Sequence, residues 1–308
     1  MNDAAPIAVE SEPAATAIKG RSLWDDARRR LVGNRAAMAS LYVILALVLL
    51  AAFGPALWQA ISGAGVGTIF RSEVGVAPTL THMHWLGTDT EGRDVVARSL
   101  FGLRISLLVG LAATAVALTI GVAWGAIAGY FGGLLDELMM RFVDVLYAIP
   151  FIFFVIVLVT VIDPPDPTLR LMLIFMAIGA VEWLNMARIV RGQTISLRRK
   201  EFVDAARAAG ARPLEIVFRH MAPNSLGAVI VFATLNIPVV ILTESFLSFL
   251  GLGVREPLTS RGALIAKGVG QTQAPWLLVT PCVLMLTTLL ALNFLGDGLR
   301  DALDPKER

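Results

Sequence analysis

The chain has 308 residues, of which 56 % are apolar and 16 % charged, with a formal net charge of +2. Soluble domains keep about a quarter of their residues charged, so this composition excludes an ordinary water-facing surface and points to burial in a membrane. The small net charge argues against a nucleic-acid partner, and the single cysteine, Cys282, excludes an intrachain disulfide and reads as a packing residue in an apolar stretch.

Residues 1–20 carry Asp3, Glu10 and Glu12 among alanines and prolines, without the basic start and apolar run of a cleavable signal peptide. Residues 1–27 are therefore expected as a disordered tail. The basic stretch 24–35, with Arg28, Arg29, Arg30 and Arg35, flanks the first apolar run, which is expected to stay in the chain as an anchor.

A bilayer-crossing helix needs about 20 mostly apolar residues, because unpaired backbone amides are not tolerated in hydrocarbon. Six segments meet that need: 36–58, 105–130, 135–162, 169–189, 223–246 and 275–295. The third opens with Asp136, Glu137, Arg141 and Asp144, of which Arg141 and Asp144, three apart, read as a local ion pair. Pro150 is expected to kink it. Glu182 lies within the fourth, and Glu244 near the end of the fifth. Ionisable groups at such depth are costly and invite a functional reading. Glu182 is open to two: lining a pathway near a substrate amino group, or pairing with a partner chain.

Lys and Arg placement sets orientation, since cytoplasmic loops retain positive charge. Six basic residues precede the first span, eight lie between the fourth and fifth (Arg188, Arg191, Arg198, Arg199, Lys200, Arg207, Arg212, Arg219), and Arg300, Lys306 and Arg308 follow the sixth. The turn Asp163-Pro164-Pro165-Asp166-Pro167 is acidic and belongs on the opposite side. Both termini are thus expected in the cytoplasm and the loop 59–104 outside, despite Arg71, Arg93, Arg98 and Arg104.

Within that loop, residues 87–94 read as an Asx/Gly turn, with Asp89 capping the next helix and Gly92 turning. His82 and His84 read as polar surface rather than a metal site. The segment 198–224 reads as a helix-turn-helix outside the membrane. Residues 201–209 form the first helix, Gly210 closes it, Pro213 opens the second, Leu214, Val217 and Phe218 share a face, and Pro223 ends it. Ala205, Ala206, Ala208 and Ala209 cluster at the bend and permit close approach. No Gly-Lys pair exists in the chain, so a phosphate-binding loop is ruled out, and no catalytic triad or zinc motif is present.

Asp204-Ala205-Ala206, Gly210 and His220-Met221-Ala222-Pro223-Asn224 together resemble the EAA loop of ATP-binding-cassette importer permeases. Asp204 and Ala222 depart from the usual Glu and Leu. Three more stretches resemble the dipeptide and oligopeptide branch, C-type subunit. They are His84–Asp94 with Gly87, Asp89, Gly92, Arg93 and Asp94, continuing through Arg98, Gly102, Arg104 and Ser106; Asp144 with Ala148-Ile149-Pro150; and Glu244–Gly253. The resemblance covers most of the chain from about residue 84 onward.

It implies an all-α, six-helix type I transmembrane domain, in which 28–103 holds the first span and outer loop, 104–302 a five-helix core containing 198–224, and 303–308 a tail. It also implies a non-catalytic subunit of the bacterial inner membrane with no cofactor of its own. The expected partners are a homologous second permease, two ATPase subunits that bind ATP and Mg, a periplasmic binding protein and membrane lipid. Peptides are the expected cargo, while nickel, glutathione and antimicrobial-peptide importers share the motifs. The rival from another class is a proton-coupled secondary transporter using Glu182 or Glu244; the inverted repeats that would support it are not seen.

Overall fold

The computed structural model describes residues 23–80, 83–162 and 164–303. The tail 1–22, His82, Asp163, Lys306 and Arg308 lie outside the described residues. The regular elements among the described residues are all helices, joined by loops, with an isolated bridge between Thr88 and Asp94 in the loop between Ser62 and Val95.

Helix α1 (Leu23–Gly33) begins inside the stretch expected as tail, so residues 23–27 are helical. Its first turn holds Asp25 and Asp26 and its last Arg30, the charge order that suits a helix dipole. Asn34 caps α2 (Arg35–Ser62) by accepting from the Ala37 amide at 3.1 Å. Helix α3 (Val95–Phe131) starts ten residues before the expected span. Its polar first turns are legitimate because Asp94 caps them and Arg98 finds acidic partners in Asp89 of the preceding loop and in the distant Glu256.

The third span is two helices, α4 (Gly133–Ala148) and α5 (Phe151–Ile162), bent by 74° at Ile149-Pro150. That is a break rather than a mild kink: a residue before proline is pushed out of the helical region, and Ile149 has ψ 121°. Asp166 caps α6 (Pro167–Leu197), accepting from the Thr168 and Leu169 amides. This helix outruns its expected end at 189 because its terminal cations are paired: Arg188 with Asp144 at 2.9 Å, and Arg191 with Asp136 at 2.5 Å. Next come α7 (Glu201–Ala208), the short α8 (Pro213–Glu215), a π-helix (Ile216–Met221), α9 (Ala222–Phe249), α10 (Arg261–Gly268) and α11 (Trp276–Leu303). Among the described residues five continuous helices are long and apolar enough to cross a bilayer, and the bent α4–α5 pair makes a sixth crossing if it counts as one span.

The most extensive helix pairing is α3 against α6. Gly121, Gly125 and Gly129 recur every four residues on α3 and form a flat stripe. A Cβ added at Gly125 would stand 2.3 Å from the Ala187 carbonyl oxygen, and one at Gly129 2.8 Å from that of Arg191. Lipid offers no hydrophobic drive for helices to associate, so close backbone approach and dispersion must supply it. Leu41, Leu45, Leu49, Phe53, Val157, Val161, Val279, Val283, Leu286 and Leu290 project outward, an apolar belt with no water-soluble counterpart.

Candidate functional site

Two ends of the bundle carry the residues singled out from the sequence. At one end, α7 closes in a Schellman motif: the Gly210 amide donates to the Arg207 carbonyl at 3.0 Å and the Ala211 amide to the Ala206 carbonyl at 3.1 Å. Gly210 sits at φ +81°, the left-handed region a Cβ disfavours, with nothing within 4 Å of where a side chain would be. Val203, Ile216, Val217 and Met221 are buried, forming one cluster with Ala126, Tyr130, Met186, Val190, Val229 and Ala233. The helix-turn-helix is therefore bolted onto α3, α6 and α9 by one face. Its other face presents Asp204, Ala205, Ala208, Ala209 and Gly210. Leu214 and Phe218 are 53 % and 48 % exposed.

Two expectations here need correction. Leu214, Val217 and Phe218 do not share a face, because Val217 turns inward with Ile216 while the other two stay exposed. Pro223 does not end a helix either, since the chain runs helically from Pro213 to Phe249. Proline lacks an amide and its ring crowds the carbonyl four residues back, which breaks a regular α-ladder. The π-turn over Ile216–Met221 widens the ladder just before Pro223, and the Ala222 amide reaches back to the Val217 carbonyl. The Asn224 side chain donates to the His220 carbonyl at 2.6 Å. Pro223 followed by Asn224 is the only sequence signal for this joint.

At the other end, Asp94 rather than Asp89 caps α3. Its Oδ1 accepts from the Ala97 amide at 2.7 Å and from the Trp58 indole at 2.9 Å. Its Oδ2 meets His84 Nδ1 at 2.8 Å, while His84 Nε2 meets Glu73 at 2.6 Å. His84 is thus buried between two carboxylates instead of lying on polar surface. Burial opposes its charged form, yet the bonds to Asp94 and then Glu73 raise its pKa above the ordinary 6.5. Asp89 closes the turn, accepting from the Glu91 and Arg93 amides at 2.9 Å. Gly87 and Gly92 have φ +77° and no room for a Cβ beside the carbonyl oxygens of Val76 and Phe70.

Glu256 joins this motif to the loop after α9. It accepts from Arg98 at 3.0 Å and Lys267 at 2.5 Å, and also pairs with Arg93. Burial alone would raise its carboxyl, but Arg98 and then Lys267 draw it down to about 2. Glu256 and Lys267 leave no local sequence pattern, since their partners Arg93, Arg98 and Glu91 lie 163, 158 and 176 positions away, and Glu73 meets His84 eleven positions on within a loop that has no periodicity to mark it.

Of the acidic residues suspected inside the membrane, Asp144 is 61 % exposed at its side chain and pairs with Arg188 across to α6. Arg141 turns instead to Glu137 at 3.6 Å, so the expected Arg141–Asp144 pair is absent. Glu244 is buried, held by the hydroxyls of Ser106 at 3.0 Å and Ser248 at 2.7 Å. Arg261 lies buried nearby on α10, donating to Thr288 at 2.7 Å. Glu182 on α6 is half-buried.

Residues 121–308 match the family described as binding-protein-dependent transport system inner membrane component, and residues 22–62 match the N-terminal transmembrane domain of oligopeptide transport permease C. The chain is 50 % identical over 292 residues to the oligopeptide transport system permease protein OppC of Escherichia coli, covering 94 % of each. It is 48 % identical over 298 residues to the Haemophilus influenzae OppC, covering 94 % of this chain and 91 % of the relative. Similarity extends to the dipeptide transport system permease protein DppC of Bacillus subtilis, at 41 % identity over 303 residues, covering 97 % and 91 %.

Proposed function

This chain belongs to the family of binding-protein-dependent transport system inner membrane components, and we propose that it is the permease subunit of an ATP-driven importer that carries di- or oligopeptides across the bacterial inner membrane. It is a multi-pass membrane protein, and its similar relatives are named as oligopeptide and dipeptide permeases. The observation that carries the reading is the two-faced lever: Val203, Ile216 and Val217 fasten it to the bundle while Ala205, Ala208, Leu214 and Phe218 stand exposed on the far side. Small residues at a bend with two apolar anchors suit a surface that seats against another protein.

In this reading the termini and the lever lie in the cytoplasm, where ATP and Mg bind two separate ATPase subunits and the permease does no chemistry. Closure of those subunits pushes on residues 201–219. The push passes through the π-turn into α9 and through the buried cluster into α3 and α6. A second, homologous permease completes the pathway, and a periplasmic binding protein delivers the peptide.

The test is copurification. The full-length chain brings down ATPase subunits, whereas a chain with Leu214→Glu and Phe218→Glu inserts in the membrane without them. Undiminished recovery of the ATPase with that variant refutes the lever.

A further inference from the structure

Where α6 ends, α9 begins and α11 ends, these helices and α1 surround a cleft of about 940 Å³. Arg30, Lys200 and Arg300 stand in its wall with a single carboxylate, Asp26, so its lining is net positive. Lys200 and Arg300 are exposed, and neither enters an ion pair among the described residues. Below the charges the wall turns apolar, with Val231, Phe232 and Leu235 of α9. The cleft therefore has a cationic mouth at the end of the spans and an apolar flank that follows α9 toward their middle.

A free anion would use the mouth alone, and a neutral lipid would use the flank alone. We propose that the cleft holds one anionic phospholipid, with its phosphate among Arg30, Lys200 and Arg300 and the upper part of an acyl chain against Val231, Phe232 and Leu235. Basic pockets between membrane helices take such headgroups, and α1 acts as the outer wall that keeps the lipid in place. Occupancy would tie α1 to α6, α9 and α11 without touching the exposed face of the lever.

The test is native mass spectrometry of the full-length chain, with whatever subunits purify with it, released from detergent with equal amounts of dioleoylphosphatidylglycerol and dioleoylphosphatidylcholine. One phosphatidylglycerol is retained in preference. Arg30→Gln with Arg300→Gln lowers that retention about fivefold per cation removed, while Arg30→Lys with Arg300→Lys keeps it. Arg71→Gln, at the opposite end of the bundle, leaves retention unchanged. Equal retention of the two lipids overturns the inference, and so does a glutamine double variant that holds phosphatidylglycerol as the parent does. Loss of the lipid from the lysine double variant overturns it too, because charge would then not be the holding force. Displacement by inorganic phosphate at equal concentration would deny the apolar half of the site. None of these outcomes depends on ATPase copurification, so the permease assignment stands or falls separately.

Discussion

Gly210→Val separates a lever from a passive loop. At φ +81° a β-branched side chain costs about 1–2 kcal/mol, because its Cβ crowds the adjacent carbonyl. No atom lies within 4 Å of the added Cβ, so the cost stays in the turn and does not reach the bundle core. The Schellman bonds of Gly210 and Ala211 to Arg207 and Ala206 are what the substitution strains, and these set the angle between α7 and α8. A cost of about 1–2 kcal/mol shifts the ratio of native to altered turn by roughly 5–30-fold. Peptide uptake by reconstituted transporter should fall by at most about that factor, while membrane insertion and basal ATP hydrolysis persist. Gly210→Asn, which tolerates the left-handed region, should restore most uptake. Undiminished uptake by the valine variant would show that this turn transmits nothing.

Three further outcomes follow from the packing. Gly125→Ala places a Cβ 2.3 Å from the Ala187 carbonyl and should destabilise the α3–α6 pair by about 1–3 kcal/mol, read as a lower melting temperature in detergent. Asp94→Ala removes the α3 cap, at about 1 kcal/mol, and orphans the Trp58 indole, at about 1–3 kcal/mol, so thermal stability should drop more than for any single cap loss. Because the His84 pKa is raised in the folded chain, its contribution is complete below the unfolded value of 6.5 and is lost as pH rises through the folded value. Amide protection factors in residues 73–94, taken relative to the base-catalysed exchange of an open chain, should accordingly fall as pH climbs above 6.5, and His84→Gln should abolish that fall.

Local rules read from the chain located the apolar runs, the closing role of Gly210 and the start of the second short helix at Pro213, because each depends on neighbours in sequence. The same rules misjudged residues whose partners are remote. Asp89 reads locally as the cap of α3, but the approach of Trp58 and Ala97 gives that role to Asp94. Arg141 sits three residues from Asp144, but α6 brings Arg188 to that carboxylate and Arg141 turns back to Glu137. The π-turn before Pro223 was illegible for a related reason. Proline forbids a regular ladder, and whether the helix stops or widens depends on whether Ile216, Val217 and Met221 have a core to enter.

Sequence alone determined that this chain lives in lipid and carries a polar helical handle, since hydrocarbon admits only long apolar helices and leaves charged segments outside. Tertiary structure alone decided which face of the handle is free, which helix the glycine stripe of α3 meets, and that Glu256 gathers Arg93, Arg98 and Lys267. Those outcomes depend on distances between segments far apart in the chain, which no local periodicity encodes.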